Sequence, residues 1–380
     1  MVHTATITHI LTVQDYWIYD AFKELPGSFY VKQDYKWCNK SLRDRGIILW
    51  SYKLPDYRRI LVMRINFIRL VEQQDRVTIL REQDIPQVEQ AFNELLQELL
   101  PGMPLFKDWK VNRIDYAVNV RTPYVQEYIK LLQKSDIPPY MKQTTDRHGN
   151  YCFKPGSFYL ISKARNRLCH RTGSKTINFY DKYAEMQKQL EDNQPGITPE
   201  IVEQARDILR LEVQCFKPKT ETIKTKYGLA SKLVYLFLNA EYGFDILSSA
   251  IIQSCGTADF QRTRVAKEMI DSMDCTNKKK DALKLLISDI SRSSLHKIKK
   301  LYVSSGVMKP STFRNYIKLL EQHNINPVTI SKNAKLKDRT TLQGLPSLWE
   351  LFYEAYNNEM VFSEDEIDIF DIDHFISEEL

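Results

Sequence analysis

The sequence predicts an α+β fold. Two successive α+β halves cover residues 1–107 and 108–217, a helical segment covers 218–332, and the remainder, 333–380, ends in an acidic run. Three observations carry this prediction. "RILVMRINFIRLV" and "WKVNRIDYAVNV" are rich in β-branched and aromatic residues, as strands are. Between them, "PQVEQAFNELLQELLPG" repeats Val88, Phe92, Leu95, Leu96 and Leu99 at helical spacing. After residue 217, segments such as "KKKDALKLLISDIS" become apolar on one side and basic on the other.

In the first half, "GIILWSYKL" is a further strand, and the helix is bounded by Pro86 at its start and Pro101-Gly102 at its end. The second half opens with the strand "WKVNRIDYAVNV" and continues through the helix "YVQEYIKLLQKS" and the strand "YCFKPGSFYLISKA". A basic loop leads to Gly173, and the strand in "KTINFYDKYAEMQKQLE" runs into a charged helix. That helix breaks at Pro195-Gly196, resumes behind Thr198-Pro199, and gives way to the strand "DILRLEVQCF". The halves are candidate pseudo-repeats, although their sequences are not visibly similar.

"KYGLASKLVYLFLNA" reads as a helix of the C-terminal segment. Farther on, one helix ends near Ser305-Gly306 and another begins at Pro310-Ser311-Thr312. This is helix-turn-helix-like, with Ser311, Thr312, Arg314, Asn315 and Lys318 presented to DNA and Phe313, Ile317 and Leu320 buried. Two helices packed around a glycine turn are the plainer alternative.

Hydrophobic content of 43% with 27% charged residues suits a soluble globular chain. No apolar stretch approaches the roughly 18 residues of a membrane span. The N-terminal residues lack a signal-peptide pattern, so a cytoplasmic location is expected. The six cysteines form no CxxC pair, which favours reduced thiols over disulfides or zinc. Cys169-His170 is a possible metal pair without evident further ligands. From Glu359 onward there are nine acidic residues and no Lys or Arg, so the rest of the chain carries +15 against a net +6 for the whole. A body that basic favours a polyanion, most simply nucleic acid, although excess Lys and Arg can also serve solubility alone.

Two-residue periodicity gives three strands one polar face each. In "VNRIDYAVNV" it carries Arg113, Asp115 and Asn119; in "LRLEVQC", Arg210, Glu212 and Gln214; in "TINFYDK", Asn178, Tyr180 and Lys182. If these strands share a sheet, Asp115 and Glu212 are oxygen ligands suited to Mg²⁺ or Mn²⁺. Lys182 and the arginines are phosphate anchors, and Tyr180 is a candidate nucleophile. An ordinary solvated sheet face accounts for the same alternation.

The order Arg113-Ile114-Asp115, then Tyr180-Asp181-Lys182-Tyr183-Ala184-Glu185, then Leu209-Arg210-Leu211-Glu212 resembles the phage gene II/X-type replication initiators and related plasmid rolling-circle initiators. "KPSTFRNYIKLLEQHNIN" is similar to that family's closing helical segment. The resemblance covers roughly residues 108–330 and implies an antiparallel-sheet nuclease core followed by a helical DNA-binding region. It implies metal-dependent nicking of one origin strand by a tyrosine, a covalent 5′-phosphotyrosine, and later strand closure. It makes Tyr180 the nucleophile, with Tyr183 its rival, and Lys182 its aid at the phosphate. Asp115 and Glu212 become metal ligands, and Glu185 either a third ligand or the residue that orients Lys182. DNA contacts are expected from Arg113, Lys175, Arg210, Arg314, Asn315 and Lys318. The DNA partner is a replication origin, and a bacterial host's helicase and polymerase are family-level expectations. None of the seven histidines forms a His-hydrophobic-His metal motif, while His148 and His170 lie near the hairpin before Tyr180. The alternatives are a mobilisation relaxase of the same chemistry and a non-enzymatic DNA-binding regulator.

Overall fold

Ten strands pair into one antiparallel sheet. In the computed structural model, which describes residues 2–73, 77–163, 173–194, 196–336 and 339–346, all three candidate strands belong to it. Cys169, His170 and the acidic run lie outside the described residues. The first half supplies β1 (Val2–Ile10), β2 (Ser28–Val31), β3 (Lys36–Asn39), β4 (Ile47–Lys53) and β5 (Arg59–Asn66). The second supplies β6 (Lys110–Arg121) and β7 (Met141–Lys142), then a side hairpin of β8 (Thr144–Thr145) and β9 (Tyr151–Cys152). It returns to the sheet with β10 (Ser157–Ser162), β11 (Lys175–Asp181) and β12 (Ile208–Cys215). The helices are α1 (Tyr16–Glu24), α2 (Phe67–Val71), α3 (Ile85–Leu99), α4 (Val125–Lys134), α5 (Lys182–Glu191) and α6 (Pro199–Glu203). They continue with α7 (Lys217–Lys226), α8 (Ala240–Cys255), α9 (Thr263–Ser272), α10 (Asn277–Arg292), α11 (Leu295–Ser304) and α12 (Pro310–Gln322).

The spatial order β2-β3-β4-β5-β1-β6-β12-β11-β10-β7 contains one path twice. Each half begins with a long strand (β1 or β6), crosses a helix (α1 or α4), and returns through a four-strand meander. The last strand of each meander, β5 or β12, pairs with the strand that began it. The halves join where β1 and β6 pair antiparallel, with Thr4 opposite Asp115 and Thr6 opposite Arg113. A pseudo-two-fold along the sheet normal therefore relates the two paths.

One face of this sheet is predominantly apolar. Ile7, Leu61, Met63, Ile114, Leu211, Val213, Ile177 and Phe179 are buried there in one cluster with residues of α1, α3, α4 and α8. The opposite face carries the polar positions. Only near β11 and β12 do α5 and α6 form a second small core with it, through Met186, Val202, Ala205, Ile208 and Val77.

Three expected elements differ. "YCFKPGSFYLISKA" is not one strand: β9 stops at Cys152 in the side hairpin, the chain turns at Gly156 (φ +67°), and β10 begins at Ser157 in the main sheet. "RILVMRINFIRLV" is not one strand: β5 stops at Asn66, whose side chain accepts from the Arg69 amide at 3.2 Å and starts α2. "KYGLASKLVYLFLNA" is not a helix. α7 ends at Lys226, and Gly228 adopts φ +61°. Lys232 and Val234 then bond the backbone of Val111 and Trp109, so pairing beside β6 outweighs helical propensity. The helix-turn-helix-like pair is present, with a turn at Gly306 (φ +74°) between α11 and α12. Phe313 and Leu320 are buried, but Ile317 is half-buried because it lines an open cavity between α8, α11 and α12.

Phe179 lies opposite Leu211 and makes an edge contact with Phe158 at a 5.8 Å centroid distance. Phe179→Ala is expected to cost about 3–5 kcal/mol, read as a lower midpoint in urea unfolding.

Candidate active site

The register turns three polar strand faces into a grid. One row is Tyr159–Asn178–Glu212–Ala117, the next Ser157–Tyr180–Arg210–Asn119, and the third Thr176–Gln214–Asp115–Thr4. Within it the Tyr180 hydroxyl donates to Glu212 Oε2 at 3.4 Å, while Gln214 donates to Glu212 Oε1 at 2.8 Å. Burial, and secondarily the nearby Asp115 carboxylate, push Glu212 above its ordinary range.

Asp115 is buried and closed by partners. Arg113 grips it with two 2.7 Å bonds, Nε to Oδ1 and Nη2 to Oδ2, and the Thr4 hydroxyl donates to Oδ2. Arg113 is thus the counter-charge of Asp115, its neighbour two residues along the same face, and not a free phosphate anchor. Arg210 is fully buried: Nε bonds Asn119 Oδ1 at 2.7 Å, and Nη2 bonds the Val77 carbonyl. Its Nη1 has no partner among the described residues.

Lys182 does not extend β11, because Asp181 caps α5 by accepting from the Ala184 amide at 3.1 Å. Lys182 is the first residue of that helix, almost wholly buried, and bonds Glu185 one turn on at 2.7 Å. Burial, with Arg210 next, lowers the Lys182 ammonium to about 8. Tyr180 is half-buried; burial raises its phenol, the Glu212 and Glu185 charges raise it further, and Arg210 opposes them. Glu185 is therefore a hydrogen-bonding partner of Lys182 and a neighbour of Tyr180.

Tyr183 and Lys175 lie elsewhere. The Arg206 guanidinium sits 4.8 Å from the Tyr183 ring centroid and donates to its hydroxyl at 3.3 Å, so Tyr183 packs toward α6 and not toward Glu212. Lys175 faces Cys215 in the register and shares the helix-covered side with Ile177 and Phe179. Arg314, Asn315 and Lys318 are exposed on α12. His148 is exposed in a loop.

His3 was missed. Strict alternation assigns it to the apolar face with Ala5 and Ile7. A β-bulge between Val2 and Thr4 turns it instead toward Glu212, with Nδ1 3.8 Å from Oε2. Burial, then Arg210 and Lys182, hold the imidazole well below its ordinary value, so it is neutral at pH 7. Tyr159, beside Asn178, is a second half-buried phenol on this face.

Nine buried side-chain polar atoms lack a partner among the described residues, and four lie on this grid: His3 Nδ1, Thr176 Oγ1, Asn178 Oδ1 and Arg210 Nη1. Buried polar groups are normally satisfied, so these four atoms are positions that an ordered water or a polar ligand would satisfy. Among the described residues no three His, Cys, Asp or Glu side chains are grouped as a metal centre. Asp115 and Glu212 are two neighbouring carboxylates, the oxygen donors a hard divalent ion takes, but Arg113 and Thr4 occupy both oxygens of Asp115. No family model, curated protein or solved structure matches the chain.

Proposed function

We propose that the chain is a tyrosine-type DNA nicking and strand-transfer enzyme that initiates rolling-circle replication. The observation that carries this reading is the Tyr180–Glu212 contact, set among the buried cations Lys182 and Arg210. The Tyr180 oxygen attacks phosphorus and its proton passes to Glu212, the acceptor it already touches. The bond from phosphorus to the 3′ oxygen breaks with its electron pair on oxygen, which takes a proton from solvent, leaving a 3′-OH and a 5′-phosphotyrosine. Lys182 and the orphaned Arg210 Nη1 hold non-bridging oxygens, and Glu185 fixes Lys182. Attack of the later 3′-OH on the phosphotyrosine reverses the step and closes the strand.

A Mg²⁺ or Mn²⁺ ion held by Glu212 and by an Asp115 released from Arg113 would supply Lewis-acid polarisation of the phosphate. Calorimetric titration with Mn²⁺ is expected to give one site per chain, weakened at least about 10-fold in Glu212→Gln, since loss of an oriented metal partner costs that order. The exposed Arg314, Asn315 and Lys318 are the duplex-origin contacts in this reading.

The closed Asp115–Arg113 pair favours a second reading, a DNA-binding regulator with an inert sheet. Incubation with supercoiled origin plasmid and Mg²⁺ or Mn²⁺ separates the two. Nicked circles with protein on the 5′ end support the enzyme; tight binding that survives EDTA, with no nicking under either metal, supports the regulator.

A further inference from the structure

The outward face of the sheet continues beyond the grid into the first half. From Asp115 the register passes through Thr4 and Thr6 to Arg64 and Val62 on β5, then to Trp50 on β4 and Phe29 at the edge. From β12 to β4 this spans four inter-strand steps, about 20 Å. Phe29 is 42% exposed, Arg64 is exposed, and Trp50 and Val62 are half-buried, whereas Leu49, Leu61 and Met63 on the other face are fully buried.

The chemistry of this strip specifies what it takes. Lys36 Nζ lies 5.7 Å from the Trp50 ring centroid, and Lys40 Nζ 5.3 Å from that of Phe29. The Arg64 guanidinium has no ion-pair partner among the described residues, and its charge acts on His3 in the grid. The outward strand positions of β1 to β5 include no Asp or Glu. Asp34, in the turn before β3, pairs with Lys36 at 2.6 Å and is the carboxylate a phosphate must displace. Rings interleaved with cations match unpaired nucleotides, whose bases stack while their phosphates seek positive charge. A duplex keeps its base faces stacked and has none to offer these rings.

We propose that the outward face of β1–β5 is a track for single-stranded DNA that leads the strand to Tyr180. The track's destination rests on the nicking reading; its binding of single strands needs neither metal nor Tyr180. In the pseudo-repeat, the first half then keeps the sheet face for holding the strand while the second half carries the reacting groups.

The test uses the full chain and a labelled oligothymidylate of about 20 nucleotides, long enough for a single-strand site, followed by anisotropy in EDTA. Trp50→Leu is expected to weaken binding roughly 10-fold with an unchanged salt dependence, as loss of a stacking partner does. Lys36→Ala/Arg64→Ala is expected to weaken binding and flatten the dependence on salt by about one to two phosphate contacts. Tyr180→Phe is expected to bind like the parent. Cross-linking of the unaltered chain to 4-thiothymidine DNA, which needs no variant to fold, is expected to mark peptides within residues 29–64. Unchanged affinity in both strip variants, cross-links confined to the helical segment, or equal competition by a duplex would overturn the track. Loss of Tyr180 chemistry with these results intact removes the nicking reading and leaves the track standing; nicking without them removes the track alone.

Discussion

On the nicking reading, Tyr180→Phe is expected to abolish the covalent 5′ adduct and to lower nicking of origin DNA by about 10³-fold or more, the scale on which removal of an attacking group acts. The fold tolerates the change. The lost hydroxyl makes one 3.4 Å bond at a half-buried position, so the expected stability cost is about 0.5–1.5 kcal/mol. Tyr183→Phe is the matching control. Its hydroxyl meets Arg206 near the protein surface, and the expected rate lies within about two-fold of the parent. Mass mapping of the DNA-linked peptide distinguishes the two phenols directly, and an adduct on Tyr183 would move the chemistry off the grid.

Lys182→Met is expected to reduce the nicking rate by about 10²- to 10³-fold, because the proposed reaction places this buried ammonium at the phosphate. The parent carries a pH signature of the same residue. With its ammonium at about 8, Lys182 is charged below that pH and neutral above it, so the proposed phosphate stabilisation is expected below about pH 8 and is expected to fade as pH rises through it. Lys182→Arg keeps its charge throughout and loses this alkaline decline. The stability effect has the opposite direction. The unfolded lysine titrates near 10.5, so between about 8 and 10.5 the unfolded chain binds more protons and native stability rises with pH. Below about 8 the fold carries the cost of a buried ammonium, which Lys182→Met removes. A variant that is slower yet no less stable at pH 7 is therefore the expected pairing, checked by single-turnover rates beside thermal midpoints. Rates unmoved by Lys182→Met would exclude the residue from the chemistry.

The grid was legible because alternation survives wherever one sheet face is buried. Ile114, Leu211 and Ile177 fix which way Asp115, Glu212 and Tyr180 point, and adjacent pairing of β6, β12 and β11 does the rest. Lys175 was legible by the same count and belongs with Ile177 and Phe179, opposite the site. His3 was not, since a bulge is set by pairing with β6 and leaves no mark on the alternation of "VHTATITHI". Lys182 reaches the grid through a helix start, not a strand, and its lowered ammonium reflects burial and the charge of the distant Arg210. "KYGLASKLVYLFLNA" misled for a tertiary reason as well: its helical look yields to backbone bonds with Trp109 and Val111. The α11–α12 turn was readable from Gly306 and Pro310 because caps are local.

The junction between β1 and β6 also governs how the molecule comes into being. While the ribosome has released only the first half, β1 has β5 on one side and a bare row of amide and carbonyl groups on the other. Closure awaits residues 110–121, more than a hundred positions downstream of β1, and Thr4 meets Asp115 only then. The nascent chain thus passes through an interval in which its central strand is a sticky border, open to chaperones or to another nascent copy. The Tyr180–Glu212 contact is absent over the same interval, because no fragment that ends before β12 contains Glu212.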